Sequence, residues 1–409
     1  MTRGTIQGWG PDDVNGLTAR EGGVTAIDGL RASGVASGVK PSGKPDLALV
    51  VADQPAATAV MTTTNLVEAP ACALTQRHAA DGYSQAVVIN AGNANVCTPE
   101  GEEHAARIAA SAASQLGLAR DQVLVMSTGV IGVPLPIERI EEAMPHAVAA
   151  LDPAGGPAAA EAMLTTDTHT KQVAFEVADD HGRCMVAGMA KGVGMIEPAM
   201  ATLLVVLATD APIHPTLLRQ LLRGAVSRSF NRISIDGDGS TSDTVSLWAT
   251  GTAPTPPGLE AIERGLSAVC AQLAYEVVAD GEGASKVAAI TVAGAKTEDD
   301  AEGFARAIAT SLLVRAAIHG GDPNWGRILM AMGNAGIDFE PRRVSVSCGE
   351  VMVCRFGVAT AFDRGLAAAA MSHDEVSITV DLGVGSASAT MLTCDLTPEY
   401  VRFNAEYTT

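Results

Sequence analysis

The chain has 409 residues, 47% of them hydrophobic and 18% charged, which is ample material for a core and excludes a disordered chain. Lys and Arg number 27 against 46 Asp and Glu, a net charge of -19, and aromatic residues are only 3%. So acidic a surface repels phosphate backbones, and so few rings make a poor base-stacking platform, which excludes a general nucleic-acid binder.

The N-terminal MTRGTIQGWGPDD has no apolar segment of the kind a signal peptide needs. The apolar run PAMATLLVVLAT has about 12 residues, against the ~20 a bilayer crossing requires. No membrane association is therefore expected. Seven cysteines (Cys72, Cys97, Cys184, Cys270, Cys348, Cys354 and Cys394) are scattered without a C-x-x-C pair. They read as buried free thiols of a cytoplasmic protein, not as a disulfide framework or a zinc site.

Along the chain, short apolar β-rich runs alternate with longer helical ones. Strands are predicted at residues 46–52 and 85–90. The alanine-rich segment 102–116 follows, with acids in the first turn where the helix dipole favours them. A strand at 122–127 precedes a helix begun by Pro136, suited to a first turn because the missing N–H is not needed there. Strands at 172–177 and 203–209 come next, then a helix begun by Pro215. Amphipathic helices are predicted at 260–278 and 299–318, the second capped by Thr297 with Asp300 three residues on. Strands at 288–292, 343–347 and 376–381 complete the set, the last two alternating with period two. Residues 155–157 and the Pro-rich 253–258 (APTPPG) are linker-like but too short to separate free domains, and there is no tandem repeat. This order fits an α/β (α+β) layered sandwich of β-sheets flanked by helices better than a doubly wound sheet.

Residues 190–210, AKGVGMIEPAMATLLVVLATD, are the most informative. Lys191 stands beside a glycine pair, and small residues lead to Thr202 at the start of a buried-looking strand. A nucleophile of the N-terminal type needs this arrangement. Its hydroxyl attacks the preceding carbonyl, that of Ala201, and the freed α-amine, with a reference pKa of ~7.7–8, serves as base for the hydroxyl. A Thr before LLVV is also an ordinary β-branched strand residue. Thr128 and Gly129, in STGVIG, can supply a hydroxyl and a backbone N–H to an oxyanion, or form a plain strand-to-turn junction. LTTDTHTK (164–171) is a substrate loop or a hydroxyl-rich turn. Asp236, Asp238 and Asp243, in IDGDGSTSDTV, hint at calcium without the spacing of a known loop. Glu282, between glycines, is first a helix-end turn, and the tail NAEYTT would usually fray.

Together these segments resemble the ornithine acetyltransferase family, also called the bifunctional glutamate N-acetyltransferase/amino-acid acetyltransferase family. The resemblance runs from GLRASGVASGVKPSGKPDLALV through VINAGNANVCT, STGVIG, LTTDT, AKGVGMIEPAMAT, IDGDGSTSDTV, DGEGASK, GGDPNWGRIL and DLGVGSASA to NAEYTT, nearly the whole chain.

It implies an N-terminal-nucleophile-like sandwich, cut by itself between Ala201 and Thr202 into an α chain (1–201) and a β chain (202–409). These form one intertwined body, associated as α2β2 or larger. It implies Thr202 as nucleophile, Thr128 and Gly129 as oxyanion hole, and Thr165, Lys191, Thr202, Glu282, Asn404 and Thr409 as substrate contacts. The implied reaction is ping-pong transfer of acetyl from N2-acetyl-L-ornithine to L-glutamate, with no metal or nicotinamide. Some members also take acetyl-CoA, which the sequence leaves open. The chain departs from the family at Ala199 and Ser242, where Asn is usual, and at Thr170, where Pro is usual; these bear on acceptor choice or cleavage rate. The competing readings are a paralogue with relaxed acyl choice, an aminopeptidase of the same fold, and an uncut, non-catalytic binding protein.

Overall fold

The structure, a computed structural model, describes residues 9–11, 14–197 and 203–406. They form two compact units: a larger one of residues 14–197, 203–231 and 239–277, and a smaller one of 9–11, 232–238 and 278–406. In chain order the strands are β1 (Leu17–Arg20), β2 (Leu30–Val35), β3 (Leu47–Thr62), β4 (Tyr83–Asn93), β5 (Val123–Val130), β6 (Lys171–Asp179), β7 (Gly182–Lys191) and β8 (Leu204–Thr209). They continue with β9 (Ile233–Ser234), β10 (Thr244–Ala249), β11 (Val287–Ala295), β12 (Ser345–Cys348), β13 (Val351–Arg355), β14 (Val358–Ala359), β15 (Glu375–Asp381) and β16 (Ala387–Cys394).

The larger unit is built on a nine-stranded sheet in the order β1-β6-β7-β8-β10-β3-β4-β5, with β2 also paired to β3. The β8–β10 and β4–β5 pairs are parallel. Both faces are buried, so these strands read as unbroken apolar runs such as LALVV and AVVIN. Successive residues still alternate. Ala48, Val50, Val87 and Ile89 share one core with helix α4 (Gly156–Ala162). Leu47, Leu49, Ala86 and Val88 share the opposite core with α1 (Pro70–His78), α2 (Gly101–Leu116) and α3 (Ile137–Ala149). Next come α5 (Pro215–Ser227), begun by Pro215 as predicted, and α6 (Leu259–Ala279). Pro136 is the residue before α3, not its first turn.

The smaller unit holds a seven-stranded sheet, β14-β13-β12-β15-β11-β16-β9. Its core joins Ile290 and Val292 of β11 to Ile378 and Val380 of β15 and to Phe304 and Ile308 of α7 (Glu298–Ala309). The helices α8 (Leu312–His319), α9 (Trp325–Gly333), α10 (Arg364–Ala370) and α11 (Pro398–Glu406) complete it.

Several expectations are corrected. The helix expected at 299–318 is two, because Ser311 leaves helical geometry and its hydroxyl caps α8 through Val314 N–H at 3.4 Å. Thr297 does cap α7, accepting Asp300 N–H at 3.1 Å. Residues 155–157 are no linker. They lead into α4, and Gly155 packs so closely on β2 that an added Cβ would fall 1.8 Å from Ala32 O. Residues 253–258 are likewise fixed, with Arg183 N–H donating to Thr255 O at 2.9 Å and Gly258 N–H to Asp179 Oδ2 at 2.7 Å. The strand expected at 343–347 is Ser345–Cys348, preceded by a 3-10 turn. The cysteines are free, yet Cys97 is exposed where a buried thiol was expected. No helix among the described residues is long and apolar enough to cross a membrane.

Candidate active site

The ends of β5 and β7 bring the first candidates together. Thr128 is the sixth residue of β5 and Lys191 closes β7; both are buried. Lys191 Nζ donates to Thr128 Oγ1 at 3.3 Å. Because Thr128 accepts this bond from a cation, its own hydroxyl proton is left to donate elsewhere. Gly129 follows at φ +131°, opposite Gly92 of β4. An added Cβ there would fall 2.3 Å from Gly92 C, so only glycine fits.

Asp167, in the LTTDTHTK segment, ties Thr165 and Lys191 into one network. Its Oδ2 accepts Thr165 N–H at 3.1 Å, and its Oδ1 accepts Lys171 Nζ and Gly192 N–H, both at 2.8 Å. The Asp167 and Lys171 side chains are both fully buried. Burial pushes the Asp167 carboxyl up, but Lys191, Lys171 and the Gly192 N–H together hold it well below the ordinary carboxylate range. Lys40 also approaches. Its Nζ donates to Pro45 O at 2.6 Å and Ala162 O at 3.3 Å, and its stem lies against Gly92. Burial lowers the Lys40 pKa, Asp46 opposes that, and the Lys191 charge adds to it.

The predicted nucleophile Thr202 and its cleavage partner Ala201 lie outside the described residues, as do Ala199 and Thr409. The first described residue beyond them, Leu203, is held on both sides. Its carbonyl accepts Thr244 N–H at 3.0 Å, and its N–H donates to Asp243 Oδ1 at 2.9 Å. Burial raises the Asp243 carboxyl well above its ordinary value, against the Leu203 N–H, the Lys191 charge and the Thr63 side chain. Lys191 is therefore electrostatically linked to the anchor of the Leu203 strand and bonded to Thr128.

Glu282 and Asn404 belong to the smaller unit, as Thr128, Gly129, Thr165 and Lys191 belong to the larger. Asn404 Nδ2 donates to Glu282 Oε2 at 3.0 Å and to Tyr400 O at 3.1 Å. The tail expected to fray is, up to Glu406, the helix α11. Gly283 admits it: at φ +69° an added Cβ would lie 2.5 Å from Tyr400 N. Thr397 fastens its start, donating to Gly283 O at 2.7 Å and accepting Tyr400 N–H at 3.1 Å.

Of the acids that hinted at calcium, Asp236 and Asp238 fall in the smaller unit and Asp243 in the larger. Among the described residues no group of three His, Cys, Asp or Glu is placed to hold a metal ion. Of the departures, Ser242 is buried with its hydroxyl 3.2 Å from Thr241 Oγ1, and Thr170 precedes β6. Sequence reasoning missed the roles of Lys40, Asp167, Lys171 and Asp243. All four lie in or beside segments already noted, but nothing local says that Asp167 meets Lys191 or that Asp243 meets Leu203.

The ArgJ family profile matches residues 31–409. Among curated relatives, the arginine biosynthesis bifunctional protein ArgJ of Gloeobacter violaceus is 45% identical over 403 residues, covering 95% of this chain and 98% of its own. That of Thermus thermophilus is 46% identical over 383 residues, covering 93% and 98%. Among solved structures, the ornithine acetyltransferase of Mycobacterium tuberculosis, complexed with ornithine, is 38% identical over 45% of this chain and 98% of its own, with a TM-score of 0.42.

Proposed function

The chain belongs to the ArgJ family of arginine-biosynthesis enzymes, and from that premise we propose that it moves the acetyl group of N2-acetyl-L-ornithine to L-glutamate through an ester on Thr202. The observation that carries this reading is the buried 3.3 Å contact of Lys191 Nζ with Thr128 Oγ1, beside Gly129.

The precursor cuts itself between Ala201 and Thr202, which frees the Thr202 α-amine. That amine takes the proton of the Thr202 hydroxyl as Oγ attacks the acetyl carbonyl. The Thr128 hydroxyl and the Gly129 N–H stabilise the oxyanion, each donor worth ~2.7–4 kcal/mol in acyl transfer. The tetrahedral adduct collapses with loss of ornithine and leaves acetyl-Thr202. Glutamate then attacks the ester through its amine and leaves as N-acetyl-L-glutamate.

Lys191, set by Asp167 and Thr128, takes the substrate carboxylate, and Glu282 with Asn404 takes a cationic amine. Thr165 and Thr409 complete the contacts. The enzyme acts in the cytoplasm as paired α and β chains, α2β2 or larger, and acetyl-CoA is a candidate second donor.

The test is acetylornithine consumption with and without glutamate, run beside acetyl-CoA as donor. Consumption that depends on glutamate and yields N-acetylglutamate supports the transfer; equal consumption without glutamate refutes it in favour of hydrolysis. Denaturing mass spectrometry of the same protein should give two chains, beginning at Met1 and Thr202.

A further inference from the structure

Glu282 and Asn404 lie 122 residues apart on the chain, and their 3.0 Å bond is exposed to solvent. Water competes for both partners of such a bond, so the bond alone does not hold either side chain in place. What fixes them lies at the end of β16.

Cys394, the last residue of β16, pairs with Val287, the first of β11. The ladder therefore carries Asp395 past the start of β11 to the loop of Glu282, where Asp395 N–H donates to Lys286 O at 3.2 Å. The Asp395 side chain is fully buried. Its Oδ1 accepts Ser285 N–H at 2.8 Å and Lys286 N–H at 2.9 Å. Its Oδ2 accepts the Ser285 hydroxyl at 2.5 Å and lies 2.8 Å from His319 Nδ1, at the end of α8. Burial pushes the Asp395 carboxyl up, but the Ser285 hydroxyl and N–H, His319 and the Lys286 N–H outweigh it and hold the carboxyl below its ordinary value. An ionised carboxylate only accepts, so His319 Nδ1 is the donor.

The surroundings keep this grip rigid. Buried Arg315 donates from Nε to Cys394 O at 2.9 Å. Lys286 Nζ fastens the far end of the loop to Ile318 O at 2.8 Å and Met371 O at 2.9 Å. Two residues beyond Asp395, Thr397 donates to Gly283 O and accepts Tyr400 N–H, at the start of the helix that carries Asn404. One short segment, 395–397, thus holds the loop of Glu282 with one side chain and joins that loop to the Asn404 helix with another.

We infer that Asp395 is the positioning residue for donor selection: by fixing the Glu282 loop against the Asn404 helix, it aligns the two side chains for a single cation, the distal amine of the donor. In N2-acetyl-L-ornithine the α-nitrogen is acylated, so the distal amine is the only cation. N-acetylglutamate, the donor of the reverse reaction, has none. This inference rests on the reading of Glu282 and Asn404 given above.

The test uses mature enzyme, its cleavage checked by denaturing mass spectrometry, and compares two rates on the same preparation. One is kcat/KM for acetylornithine, which in a ping-pong reaction reports the donor half alone. The other is exchange of labelled glutamate into N-acetylglutamate, which passes through the same ester and needs no distal amine. Wild type, D395N, S285A and E282Q are compared. Asn at 395 turns an amide N–H₂ toward donors, and S285A removes one bond at an exposed residue, so it decides the matter where D395N fails to fold. The ratio of the acetylornithine rate to the exchange rate should fall by ~10–10²-fold in D395N, the scale of a misplaced contact. In S285A it should fall by about 3–10-fold, the size of one lost hydrogen bond. A part that only stabilises the fold lowers both rates together, so an unchanged ratio in both D395N and S285A overturns the inference, while a fall in E282Q alone leaves the Glu282 reading standing. An unchanged ratio in E282Q refutes that reading and the inference with it, as does wild-type enzyme that shows no exchange.

Discussion

Asp167 and Asp243 are buried carboxyls of the same unit, and their surroundings push them in opposite directions. Asp167 has two lysines and two backbone N–H groups on it and stays ionised; Asp243 is driven toward neutrality by burial, which outweighs the Leu203 N–H, the Lys191 charge and the Thr63 side chain. Their effects on stability therefore have opposite signs with pH. The depressed Asp167 stabilises the fold at pH values above the unfolded carboxylate range of about 3.9, and that contribution is lost as pH falls through the lower folded value. The raised Asp243 stabilises fully below that range and is lost as pH rises through its folded value. D167N removes the buried carboxylate charge to which Lys171 Nζ donates at 2.8 Å, a loss of about 3–5 kcal/mol that a denaturant melt at neutral pH will show. T128A removes one donor and little packing. It should lower kcat by about 10²–10³-fold with an unchanged melting temperature, so a drop under threefold argues against the oxyanion assignment.

The elements explain which parts of the fold were readable in advance. The buried strands were legible because both faces are apolar, and helices with acids or proline at their starts announced themselves, as α2 and α5 did. The break between α7 and α8 was not, because apolar residues continue across it and Ser311 gives only a weak local cue. The site was legible in part: Lys191, Thr128 and Thr165 meet in one network, yet Asp167 joins it through contacts 25 residues away on the chain, as in Gly192 N–H to Oδ1. Two glycines hold elements in place. G129A forces a side chain into Gly92 at a left-handed φ and should cost more than the ~1–3 kcal/mol of backbone strain alone, read as a lower melting temperature and impaired self-cleavage. G283A pushes on the start of α11 and so on Asn404. Its expected mark is a raised KM for acetylornithine, which a Glu282→Gln variant should share.

At the scale of the molecule, the two units are a division by packing, and the expected cut falls elsewhere, between β7 and β8 of the larger sheet. In that sheet β8 lies between β7 and β10, and β10 lies between β8 and β3. A cut between residues 201 and 202 would thus leave two strands of the downstream piece threaded through a sheet whose other strands belong to the upstream piece. The ladders Lys191–Leu204 to Val186–Thr209 on one side, and Thr244–Thr62 to Ala249–Ala57 on the other, would both have to open before the pieces could part. Such a cut would act as a ratchet on folding. The uncut chain finds its sheet in a first-order search, whereas two denatured pieces must first collide. Refolding yield of the cut protein should fall with dilution, while that of T202A stays independent of concentration. An enzyme cut in this way would fold once, as a single chain, and thereafter persist by the slowness of its unfolding.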